Sequence, residues 1–359
     1  MIGTAGLLAV AVVALGLALR VPLATTALAL MAFGVLHNVL EIRYVGGRFA
    51  TLLSGTFLKL LLALITGIVL CRLLGALFGG GWSVRAEIVL SYGLIVAAAW
   101  LGLRPIHARP LPSRPCGRSR GPRPAWFRRR STTPTSGSLI SSSAGRPLAL
   151  AACCAVIAVA AATSLRWPAY HVVVITHLHN LVPLAFLWEF SATLPRRSRL
   201  AFRGVQLTWL VVVPALLLAG VGDGLTASGA GAVERFAGAP AVVAAGVTPP
   251  GTWGTTVGLR FLTVFAFLQL MHFVVWVFFL PRYAPAAARA FDARVPWLRG
   301  WRAWALGLGV GVLLVALFVV DYGQGRTVYS ALASYHAYLE LPILMAMLMG
   351  LGGIRRLRL

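Results

Sequence analysis

"LRFLTVFAFLQLMHFVVWVFFL", residues 259 to 280, runs for twenty-two positions with one arginine, one histidine and no proline before Pro281. About 20 mostly apolar residues are what a helix needs to cross the hydrocarbon layer of a bilayer. Nine other stretches meet the same requirement, at about 2–19, 22–44, 49–70, 86–103, 148–166, 169–194, 204–221, 303–321 and 329–351. The pattern predicts an all-α, polytopic transmembrane bundle of about ten spans. It forms one membrane domain, with spans one to four in 1–103, a basic loop over 104–147, and spans five to ten in 148–359. Composition agrees. Hydrophobic residues make up 59% of the chain and charged residues 11%, whereas a soluble domain carries about 25% charged residues.

The net charge of +24 would suggest a nucleic-acid partner if it lay on one soluble face. Here the arginines fall between apolar runs and read as topology signals, with no nucleic acid implied. Segments that follow even-numbered spans hold 24 of the 32 lysines and arginines; those that follow odd-numbered spans hold 7, including Arg72 and Arg85. The asymmetry places the basic segments and both termini in the cytoplasm of a multi-pass cell-membrane protein, next to anionic lipid. Residues 104–147 are rich in Arg, Pro, Ser and Gly and cannot build a core; they read as a disordered cytoplasmic loop, and His107 is set aside with them. The first 19 residues lack the positive start of a cleaved signal and read as a retained helix. The four cysteines show neither metal nor disulfide spacing. In the ninth span Gly307 and Gly311 stand one turn apart, a small-residue face for close helix packing.

The other six histidines, His37, His171, His177, His179, His272 and His336, all fall in even-numbered spans, the second, sixth, eighth and tenth. At 1.5 Å per residue, His37 lies ~22 Å from the start of its span, His179 ~16 Å, His272 ~20 Å, His336 ~11 Å and Glu340 ~17 Å. These depths fall in one slab around the bilayer middle. His171 is close to the start of its span and reads as an interfacial histidine. His177 and His179 are two residues apart, so one of them faces the cluster. His179 is the preferred ligand, beside a proline that loosens the helix, and His177 is the other candidate.

"FGVLHNVLE" and "SYHAYLELP" each place a glutamate four residues after a histidine: His37 and Glu41, His336 and Glu340. Such pairs share one helical face. Glu340 is placed to bind a metal or to orient His336. Glu41 is nearer the cytoplasmic edge, just ahead of Arg43, and is expected to support a ligand or to form an ion pair. Glu189 is expected to pair with Arg196 or Arg197. Imidazoles and carboxylates without thiolates suit iron, copper or zinc. With open positions they suit ferrous iron and dioxygen. Tyr335, Tyr338, Phe273, Trp276 and Trp188 could line the path of a long apolar substrate entering from lipid.

"GVLHNVLE", "THLHNLVPLAF", "LQLMHFVVW" and "ASYHAYLELPIL" resemble the four histidine-bearing helices of the Brp/Blh family of membrane β-carotene 15,15′-dioxygenases. The resemblance covers about 50 residues in four patches. It implies a multi-helix membrane fold, non-haem Fe(2+) and oxidative cleavage of a polyene. Two other readings remain at this point. Opposed histidines, His37 with His272 or His179 with His336, could hold haem in an electron-transfer protein, and intramembrane His and Glu could relay protons in a transporter.

Overall fold

The computed structural model describes residues 2–103, 145–226, 233 and 240–348. Apart from its last three residues, the basic segment 104–147 lies outside this set, as does the "RRLRL" tail. Among the described residues the chain is helical, without strands, and nine helices are long and apolar enough to cross a membrane. In order they are α1 (Ile2–Arg20), α2 (Pro22–Arg48), α3 (Gly55–Phe78) and α4 (Trp82–Leu103), then, after α5, the broken helix α6 (Pro168–Leu181) and α7 (Pro183–Ser191). Next comes α8 (Arg196–Leu207), continued through a π-helical turn into α9 (Val213–Leu218). After the short α10 (Pro240–Ala244), α11 (Thr256–Phe273) continues through π-helical Val274–Phe279 into α12 (Leu280–Tyr283). An amphipathic surface helix, α13 (Pro285–Arg294), leads to α14 (Trp301–Val320) and α15 (Tyr322–Leu348). The fifth expected span is α5 (Gly145–Arg166), of which Ala151–Arg166 counts as a shorter apolar helix.

Proline sets several of the starts. Pro22, Pro168, Pro183 and Pro285 each stand in the first turn of a helix, where the missing N–H has no intrahelical partner to lose. Two spans form the centre: 78% of the window in Thr256–Tyr283 and 61% of that in Pro22–Arg48 is buried, against 17–44% in the other seven. Helices surrounded by lipid gain little from hydrophobic burial, so close association depends on small residues and polar contacts. The glycine face of α14 serves in this way. A Cβ on Gly307 would stand 3.1 Å from the Leu36 Cα of α2, and one on Gly311 would stand 3.9 Å from the Val35 Cβ. At the other end of α2, a Cβ on Gly47 would stand 1.9 Å from the Ala287 carbonyl oxygen, so the α2 and α13 backbones touch.

Three expectations about boundaries and charges are corrected. The third helix begins at Gly55, not 49, because α2 runs on to Arg48 and Phe49–Ser54 make the connection. The last helix begins at Tyr322, seven residues before the expected 329. Arg72 and Arg85, counted as loop charges, lie inside α3 and α4. Arg72 holds Glu87 through Nε (3.0 Å) and Nη2 (2.6 Å) and donates from Nη1 to Ser330 on α15 (2.9 Å to Oγ). The Tyr338 hydroxyl completes the group with a hydrogen bond to Glu87. This network ties α3 and α4 to α15.

Candidate metal centre

His37 projects from the middle of α2, His179 from the last turn of α6, His272 from the last turn of α11, and His336 from the middle of α15. Along the observed helices they lie roughly 22, 16, 24 and 21 Å from Pro22, Pro168, Thr256 and Tyr322. The early start of α15 thus moves His336 to nearly the depth of His37. The four rings form a closed square: centroids are 4.8 Å apart for His37–His336, 4.9 Å for His336–His179, 4.4 Å for His179–His272 and 5.2 Å for His272–His37. One ring nitrogen from each lies within 4.8 Å of the others. His37, His272 and His336 are 1% exposed; the His179 side chain, at 17%, is the accessible member.

Hydrogen bonds define which nitrogens face inward. His37 donates from Nδ1 to the Phe33 carbonyl (3.0 Å), and His179 donates from Nδ1 to Glu340 Oε2 (2.6 Å). Each bond fixes the proton on Nδ1 and leaves a lone pair on Nε2. Both of these Nε2 atoms approach His336 Nε2, at 3.1 Å and 3.2 Å. His336 Nε2 has at most one proton to give, so at least one of the two contacts sets a lone pair against a nitrogen that offers it no proton in a buried site. A cation at the shared point turns repulsion into coordination. Nitrogens that share one ion at about 2.0–2.2 Å stand about 3–3.5 Å apart, which is the observed spacing. Both nitrogens of His272 and Nδ1 of His336 are buried without a hydrogen-bond partner, and such groups call for a ligand or an explanation. The donor set fits a metal ion.

Both glutamates reach the cluster, each beside a histidine of another helix. Glu340 holds His179, which belongs to another helix, and makes no hydrogen bond to His336. Glu41 is 1% exposed and stands beside His272, Oε2 to Nε2 3.9 Å. It forms no pair with Arg43, whose guanidinium grips Asp292 of α13 at 2.8 and 2.6 Å. Those hydrogen bonds hold the Asp292 carboxyl below its usual range. Glu189 pairs with Arg48 instead of Arg196 or Arg197.

His177 is corrected as a ligand candidate. Two residues from His179 is more than half a helical turn, so its ring points elsewhere: Nδ1 donates to the Val173 carbonyl (2.9 Å) and the ring packs on Phe261 and Phe265. His171, in the first turn of α6, is buried and hydrogen-bonds with Ser164 Oγ at 3.0 Å. Among the aromatics, Phe273 packs on His37 (4.5 Å) and Trp276 on His272 (6.3 Å), whereas Tyr338 belongs to the Arg72 network. A cavity of about 230 Å³ reaches the imidazoles of His37, His179 and His336; its other lining residues include Thr26, Tyr322 and Arg326 near the starts of α2 and α15.

Compared with protein-family models, curated proteins and solved structures, the chain matches none.

The geometry of the site separates two neighbouring residues in a test. Glu340→Gln keeps the shape but weakens the acceptor that orients His179, and metal affinity is expected to fall about 10–100-fold. His177→Phe is expected to leave affinity unchanged. Equal effects in a metal titration of the two purified variants would contradict the assignment.

Proposed function

We propose that the protein is an integral-membrane, metal-dependent oxygenase that uses ferrous iron held by His37, His179, His272 and His336 on an apolar, lipid-soluble substrate. The observation that carries this reading is the convergence of one nitrogen from each of four imidazoles within 4.8 Å, with the Nε2 atoms of His37 and His179, their protons held on Nδ1, at 3.1 and 3.2 Å from His336 Nε2. Copper or zinc would fit the same donors. The choice of iron, and of a carotenoid-like polyene as substrate, rests on the resemblance of the four histidine-bearing stretches to those of the Brp/Blh dioxygenases. When bound, ferrous iron supplies redox chemistry and open positions for dioxygen.

The chain's own part is to hold and shield. The Phe33 carbonyl and Glu340 fix the imidazoles of His37 and His179 in the tautomer that offers Nε2. Phe273 and Trp276 pack against the rings and keep water from the reacting region. The cavity bordered by His37, His179 and His336 offers a path to the cluster, with the partly exposed His179 on its wall. Bis-histidine haem is disfavoured, since imidazole rings 4.4–5.2 Å apart in a closed square leave no slot for a planar macrocycle.

Elemental analysis of the detergent-purified protein, with an absorption spectrum, tests the reading. Iron without a Soret band is the expected result. A Soret band would restore the haem alternative, and a metal-free protein would leave proton-coupled transport as the better account. We also place the basic segments and both termini on the cytoplasmic side, beside anionic lipid. Residues 104–147 are then expected to resist protease added to the opposite face of sealed vesicles; cleavage from that face would reverse the orientation.

A further inference from the structure

Beside the four imidazoles lies a second group of buried ligand atoms, which shares His272 with the first. Glu41, His272 and Glu340 each offer a ligand atom within 4.8 Å of the others, and all three residues are 1% exposed. Glu41 follows His37 by four residues and Glu340 follows His336 by four. The carboxylates thus form a layer one helical turn, about 5.4 Å, along α2 and α15 from the imidazole layer. His272, from the facing α11, belongs to both groups.

The unsatisfied atoms face this layer. Glu340 places Oε2 on His179, and its Oε1 is buried with no N–H donor, beside the Glu41 carboxyl. Glu41 Oε2 is likewise unsatisfied, 3.9 Å from His272 Nε2, which has no hydrogen-bond partner either. Among the described residues no arginine or lysine forms an ion pair with either carboxylate; Arg43, the nearest in sequence, is bound to Asp292. Two carboxylates desolvated side by side are costly without a counter-charge.

We propose that Glu41, His272 and Glu340 bind a second divalent cation, which makes the centre dinuclear with His272 at the junction of its two halves. Two carboxylates and one imidazole, with no thiolate, select an ion of the Fe(2+), Mn(2+) or Zn(2+) kind. This inference rests on the four-imidazole reading and can fail separately from it.

The test is a count of ions. Full-length protein in mild detergent is stripped with chelator, reloaded with Zn(2+), desalted and assayed for zinc per chain. Wild type is expected to hold two ions, His336→Ala one, and Glu41→Gln one. Glu41→Gln is nearly isosteric, and Glu41→Asp, which keeps the charge, is expected to retain the second ion at weaker affinity and so to guard against a folding defect. Mn(2+) loading gives an independent readout: magnetically coupled ions in wild type, and an isolated-ion spectrum in Glu41→Gln. One zinc per chain in wild type and in Glu41→Gln alike would overturn the second site, since the carboxyls would then share a proton instead, while leaving the four-imidazole site intact. No zinc in wild type would overturn both.

Discussion

His336→Ala is expected to give a folded membrane protein that binds at least one metal ion fewer per chain than the wild type and has no oxygenase activity. His336 is the hub of the square: its Nε2 is the atom that both His37 and His179 approach, at 3.1 and 3.2 Å. Removing it takes away both of the 3.1–3.2 Å contacts that match the spacing of a shared ion. The fold should survive, because α15 is also held through the Arg72 network and the loss removes a contact that one proton cannot satisfy. His177→Ala serves as the control, being a histidine of similar depth that faces Phe261 and Phe265. Unchanged metal content in His336→Ala, measured beside that control, would remove the basis for the proposed function.

Arg72→Met is expected to produce the largest loss of stability among changes away from the cluster. Arg72 gives a two-pronged grip on Glu87 and a hydrogen bond to Ser330, and its guanidinium carbon lies 5.5 Å from the centre of the Tyr338 ring. The Glu87 side chain is 7% exposed. Without its partner it becomes an uncompensated charge at membrane depth, and breaking such a pair from one side costs about 3–5 kcal/mol. Adding Glu87→Gln should recover part of the loss, since the remaining amide carries no charge. Thermal unfolding in detergent of the single and double variants checks both statements. A double variant no more stable than the single one would mean that the arginine acts by packing alone.

Hydropathy found the helices because a span is defined by length and apolarity, and the four histidines stood out because ionisable groups are rare in such runs. It misplaced their ends. Tyr322, Gln324 and Arg326 look polar enough for a loop, yet they form the first turns of α15, since helical hydrogen bonding does not stop where apolarity does. The same limit hid the role of Arg72, which reads as a loop charge until α3 and α4 are brought side by side and it meets Glu87. The choice of His179 over His177 was partly legible: Pro183 follows, and the helix does break there, at Val182. The partner of Glu340 was not legible. A spacing of four pointed to His336 on the same helix, whereas the bond goes to His179 across the bundle, 161 residues away in sequence. Nor did the sequence indicate that Arg43 would be taken by Asp292, which frees Glu41 to face His272.

The order of the helices along the chain also imposes an order in time. His37, His179 and His272 have all been synthesised once translation reaches Leu280, but His336 and Glu340 follow only in α15. A ribosome adds about 5–20 residues per second, so the roughly 56 residues from Leu280 to His336 take on the order of 3–11 s. Throughout that interval the inserting chain holds three imidazoles and Glu41 with neither the hub histidine nor the carboxylate that steadies His179. On the proposed reading, an ion can meet the finished square only once α15 has docked, which would make loading a late event in biogenesis, tied to the arrival of the helix that closes the centre.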